Sequence, residues 1–205
     1  MIKLFLTSSF VDVQHLFEDF INEKAQGKCV AFIPNASFVE EYKGYVENDK
    51  QALKKLGITI DELDISKETL NVITEKIEKN DFIYVSGGNT FYLLQELKKS
   101  GADKVISNAV MKGKIYIGAS AGSIIMSANI EYVEKMDNKE KGNLANFGAL
   151  NIVDFYPVPH HTNEPFKKVV ENILNEYKEK IKLIPISNTE VIEIKGKEIK
   201  ISGVK

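Results

Sequence analysis

Lys114-Ile115-Tyr116-Ile117-Gly118-Ala119-Ser120-Ala121-Gly122-Ser123 reads as a strand that enters a tight turn and leaves it as a helix. Lys114 to Ile117 is a short apolar run of strand length. Gly118 and Gly122 carry no side chains, so the chain can turn sharply between them. Ile124 and Met126 carry the apolar pattern into the helix that follows. A serine at the middle of such a strand-turn-helix, in the spacing G-x-S-x-G, is lifted above the sheet with its hydroxyl aimed into the cleft. It also heads a helix, where backbone N–H groups and the helix dipole favour a developing oxyanion.

The rest of the chain repeats this alternation. Leu4-Phe5-Leu6, Val30 to Ile33, Ile58 to Ile65 and Asp81 to Ser86 read as four further strands. Between them, apolar residues recur at helical spacing: Val13, Leu16, Phe17, Phe20 and Ile21; Tyr42 to Leu56; Val72, Ile73 and Ile77; Phe91 to Lys99, then on to Met111. Strands alternating with helices make βαβ units and a mostly parallel sheet covered on both faces. Beyond residue 150 a strand is expected near Ile152 to Tyr156 and a helix over Phe166, Val169, Val170, Ile173, Leu174 and Tyr177. Ile184 to Ile186 and a hairpin turning at Gly196 follow. The polar stretch from Asn129 to Gly148 is weakly periodic, as functional loops in compact domains are. With no linker or repeat, residues 1–205 are expected to form a single domain.

Composition narrows the function. The 205 residues are 43% apolar and 27% charged, with a net charge of −2. Neither nucleic acid nor a membrane surface is an expected partner, and no apolar run nears the 18 or so residues that span a bilayer. A cytoplasmic protein is the simplest expectation; nothing sets the oligomeric state. The lone cysteine, Cys29, lies in an apolar run and excludes a cysteine-based zinc site. All 27 cationic residues are lysines. Bidentate recognition of carboxylate or phosphate usually falls to arginine, and here it is denied.

Open parallel sheets bind ligands beyond the carboxyl ends of their strands. Two glycine-rich turns lie there: Ser86-Gly87-Gly88-Asn89-Thr90 after the fourth strand and Gly118 to Ser123 after the fifth. Ser120 is the candidate nucleophile, with the Ala121 and Gly88 amides as oxyanion donors. A serine needs a base. Of three histidines, His15 lies on the polar side of the first helix. His160 and His161 follow the strand-like segment before Pro157-Val158-Pro159 and reach the same rim. Neighbours on extended backbone point opposite ways, so one of the pair faces Ser120. No carboxylate has clear ligand spacing to the pair, so no metal is expected. A third group should orient the imidazole. Glu131, Glu134, Asp137 and Glu140 stand between serine and histidine, with Asp137 and Glu134 the better candidates.

Ser86 to Leu94, Gly118 to Ser123 and Pro159-His160, in that order, resemble the dipeptidase E family of serine peptidases, over essentially the whole chain. The resemblance implies a flavodoxin-like three-layer α/β fold related to class I glutamine amidotransferases. It also implies hydrolysis of small peptides, including dipeptides with an N-terminal aspartate, without metal or organic cofactor. It puts the nucleophile on Ser120, the base on His160 and an oxyanion donor on the Gly87-Gly88-Asn89 turn. Asp137 is the closest fit to its acid. Asn89, on that turn, is expected at the substrate. Without arginine, an acidic substrate side chain would fall to Lys167 or Lys168, with Lys167 favoured because Phe166, Val169 and Val170 should face the core. Two other readings stand beside this one. An esterase or amidase would use the same elbow on another small substrate, and an inactive relative would bind a ligand without turnover.

Overall fold

The computed structural model describes residues 1–203. Among the described residues nine strands form: β1 (Lys3–Thr7), β2 (Cys29–Ile33), β3 (Thr59–Glu62), β4 (Phe82–Val85), β5 (Ile115–Ala119), β6 (Tyr156–Val158), β7 (Leu183–Pro185), β8 (Glu190–Lys195) and β9 (Glu198–Gly203). Seven of them make one sheet in the order β3-β2-β4-β5-β1-β8-β9. The five from β3 to β1 run parallel, and the β8-β9 hairpin adds an antiparallel edge beside β1. The sequence pattern explains the layering. Successive side chains of a strand point to opposite faces, and both faces here are apolar, as a doubly covered parallel sheet requires.

On one face Leu4, Leu6, Ile33, Ile83, Val85 and Tyr116 meet α4 (Leu70–Lys79), α5 (Thr90–Ser100) and α6 (Ala102–Met111). On the other, Phe5, Val30, Phe32, Phe82, Tyr84 and Ile117 meet α1 (Phe10–Val13), α2 (Phe17–Ile21) and α3 (Gly44–Lys55). Phe5 anchors this second layer, with the rings of Phe10, Phe17 and Phe20 at 6.2, 5.4 and 5.3 Å. The protein thus has the three-layer α/β fold expected from its strand-helix alternation. Among the described residues no helix is long and apolar enough to cross a membrane.

Four details differ from the sequence reading. The first helix is broken by a 3-10 turn at Gln14–Leu16. The strand expected near Ile152 to Tyr156 lies two to four residues later, at β6. Its partner is β7 in a separate two-stranded parallel sheet. The helix after Ser120, α7 (Ala121–Ile124), is a single turn. After it the chain forms 3-10 turns and loops until β6, then α8 (Lys167–Tyr177), which packs Val170 and Ile173 against Phe91, Leu94, Tyr132 and Val158.

Candidate active site

The carboxyl ends of β1, β2, β4 and β5 stand side by side, and their exits are tied by backbone hydrogen bonds. Ser120 N–H donates to Thr7 O at 2.9 Å, Ser86 N–H to Ile33 O at 3.0 Å, and Asn89 N–H to Ala36 O at 2.8 Å. At the end of β5 the chain turns through Ser120 at φ 48°, ψ −107°. A non-glycine residue there costs of order 1–3 kcal/mol and persists only where the surroundings over-determine it. They do so here. The Ser123 and Ile124 amides donate to Ser120 O at 2.8 and 3.0 Å. The Ser123 hydroxyl reaches Thr7 O and Gly118 O, each at 2.8 Å, and Tyr116 OH donates to Gly122 O at 2.7 Å. Gly122 is pressed against the Val85 carbonyl so closely that any Cβ would overlap it.

His160 follows β6 and also has left-handed backbone, φ 65°. Its Nε2 lies 2.9 Å from Ser120 Oγ, and its Nδ1 lies 2.8 Å from Asn188 Oδ1. An amide oxygen only accepts, so Nδ1 carries the proton and Nε2 is free to accept from the serine hydroxyl. Phe166 stacks on the imidazole at 4.7 Å. Burial holds the His160 pKa below the ordinary histidine range, against the opposing pull of the Asn188 bond. A neutral imidazole in contact with a serine hydroxyl is the state a general base needs.

The expected third group is corrected. Asp137 does not meet the imidazole; Asn188 does. Asp137 Oδ2 instead accepts from Thr90 N–H at 2.8 Å and from the Thr90 hydroxyl, at the start of α5. Burial pushes its carboxyl up to about 6, which the two Thr90 bonds only partly offset. Glu134 is paired with Lys139 at 3.0 Å. The expectation of an acid between serine and histidine does not reach Asn188, a neutral amide just past β7. The polar Ser187-Asn188 pair, directly after the apolar Ile184-Pro185-Ile186 run, is the available signal.

Asn89 is also reassigned. Its Oδ1 caps α5 by accepting from Tyr92 N–H at 2.9 Å, and its Nδ2 donates to Asn138 O at 3.0 Å. At 2% exposure it is buried, and both ends of its side-chain amide are engaged within the protein. Gly88, at φ 132°, lies against the Ala36 backbone, where a Cβ would overlap it. Its neighbour Gly87 abuts the nucleophile turn, a Cβ there standing 3.3 Å from Ser120 Cβ. Among the described residues neither the Gly88 nor the Ala121 amide meets an intramolecular acceptor. Lys167 and Lys168 are exposed at the start of α8, directly after Phe166. His161 is half-buried, its amide bonded to Ile186 O at 3.0 Å.

Residues 4–202 match peptidase family S51. The chain belongs to peptidase family S51. It is therefore a serine hydrolase of the peptidase E type. Similar S51-like chains include the uncharacterized peptidase Lmo0363 of Listeria monocytogenes serovar 1/2a, 55% identical over 200 residues and covering 97% of each chain. The uncharacterized peptidase PM1590 of Pasteurella multocida is 48% identical over 204 residues, covering 99% of this chain and 98% of the other. A peptidase E of Salmonella arizonae is 30% identical over 151 residues, 74% of this chain and 63% of that one. A crystal structure from L. monocytogenes EGD-e superposes with a TM-score of 0.95 at 53% identity, covering 100% of both chains. As an S51 member the chain has peptides as its substrate class.

Proposed function

We propose that this S51 peptidase cleaves small peptides through Ser120, His160 and Asn188. Ser120 Oγ attacks the scissile carbonyl while His160 Nε2 takes its proton and later returns it to the leaving amine. Asn188 holds the tautomer through Nδ1. The Ala121 and Gly88 amides receive the oxyanion, and Lys167, beside the imidazole-stacking Phe166, is the candidate cation for an acidic substrate group. Cytoplasmic dipeptides with an N-terminal aspartate are the finer reading. With lysine in place of arginine, a preference for them would be modest and salt-sensitive.

The observation that carries this proposal is the 2.9 Å contact between His160 Nε2 and Ser120 Oγ, made on a strained turn at the carboxyl rim of the sheet. A fluorophosphonate probe tests it, because only an activated serine labels. Wild type should label and Ser120→Ala should not, with dipeptide hydrolysis falling by about 10⁴-fold or more in the variant. Labelling that survives Ser120→Ala would end the assignment. A panel varying the first residue among Asp, Asn and Ala, in wild type and Lys167→Ala, reads the specificity.

A further inference from the structure

The dipeptide Thr7-Ser8, at the carboxyl end of β1, bonds to the Ser120 turn, to the His160 loop and to the segment that leads to Asn188. Thr7 O accepts from the Ser120 amide at 2.9 Å. The Ser8 hydroxyl accepts from the His160 amide at 3.0 Å and donates to Ile186 O at 3.0 Å. Ile186 O also receives the His161 amide at 3.0 Å, so the histidine loop and the segment after β7 close a ring of hydrogen bonds through Ser8. Two residues beyond Ile186 stands Asn188, its own amide bonded to Asn163 Oδ1 at 2.8 Å. Ser8 is 4% exposed, so water is a poor substitute for these bonds.

A hydroxyl can accept from an N–H and donate to a carbonyl at once. Few side chains of this size do both. The need for such a bridge is clear at His160, whose left-handed backbone relaxes unless it is held from outside. We propose that Ser8 is a positioning residue for the Ser120–His160 pair, clamping the histidine loop and the Asn188 loop to the end of β1. In this arrangement Ser8 touches neither substrate nor reacting atoms. Its hydroxyl sets where Nε2 stands relative to Oγ, and a displacement near 1 Å at such a pair costs up to about 10²-fold in rate. The inference rests on the serine-hydrolase reading given above.

Fluorophosphonate inactivation kinetics test it, measured per folded molecule for wild type, Ser8→Ala, Ser8→Cys and Ser127→Ala. Cysteine keeps the shape of serine but bonds weakly, so it separates the hydrogen bonds from the volume and serves if Ser8→Ala does not fold. Ser127 is the control: a fully buried serine whose hydroxyl contacts Ile124 O and Asn129 O. The saturating inactivation rate should fall about 10-fold or more in both Ser8 variants, with the half-saturating probe concentration unchanged, and Ser127→Ala should match wild type. A folded Ser8→Cys or Ser8→Ala that inactivates at the wild-type rate overturns the proposal, as does an equal loss in Ser127→Ala. A wild type that does not label at all removes the hydrolase reading itself, an outcome distinct from either.

Discussion

Asn188 Oδ1 meets His160 Nδ1 at 2.8 Å, so the imidazole is oriented by an amide with no charge. An amide fixes the tautomer as a carboxylate would, yet it does not stabilise the imidazolium that forms during attack. Asn188→Ala should lower dipeptide turnover by about 10²- to 10⁴-fold. Asn188→Asp should keep activity and raise the pH midpoint of its acid limb, because a nearby anion favours the protonated ring. Steady-state rates across pH for the three proteins decide this; an unchanged midpoint in Asn188→Asp would place the side chain elsewhere.

Asp137 supplies the contrasting case. Its carboxyl grips the start of α5 through Thr90, away from the imidazole. Asp137→Asn should therefore label with fluorophosphonate within about threefold of wild type while lowering thermal stability, by roughly 1–3 kcal/mol for the disturbed buried bonds. Loss of labelling with stability intact would return Asp137 to the chemistry.

His160 predicts the shape of the acid limb. Burial lowers its pKa, so the base remains neutral further into acid than an ordinary histidine. Activity should rise with pH to a plateau whose midpoint lies below about 6.5. Labelling rates between mildly acidic and neutral pH measure it, and a midpoint above 7 contradicts the burial argument.

Asp49, on the inner side of α3, is 5% exposed, and burial pushes its carboxyl up to about 7. Its folded value exceeds its unfolded one, so the folded state holds the extra proton between those two values. Stability therefore falls as pH rises through this window, and the cost is complete above about 7. Asp49→Asn removes the titration. The variant's advantage over wild type in urea unfolding should be larger at pH 8 than at pH 5, by about 1 kcal/mol or more. Parallel curves at the two pH values would show that Asp49 does not titrate in that range.

The sheet was legible because its strands are buried on both faces and spell short apolar runs, such as Phe82 to Val85, between amphipathic helices. The contact between Ser120 and His160 was approachable because each sits in a short local pattern, a glycine-flanked turn and a Pro-His after a strand. Asn188 has only a weaker signal, a polar pair closing a short apolar run. It is 28 residues beyond the histidine it meets, and the β6-β7 pairing that brings it there joins two three-residue strands far apart in the chain. Asp137 misled for a physical reason too: a buried carboxylate at a helix start satisfies the N-terminal amides of α5 as readily as it would an imidazole. Asn89 stood on the right turn, but its side chain is consumed by the helix cap that shapes the turn.

The bonds from Thr7 and Ser8 join β1 to residues that follow it by more than 110 positions, and in one case by 178. During synthesis β1 and then β5 are made before either the histidine loop or the Asn188 loop that bonds to them. Under the proposed mechanism a growing chain thus carries a nucleophile turn but no base. Hydrolytic competence would arrive late and all at once, when the segment through residue 188 leaves the ribosome.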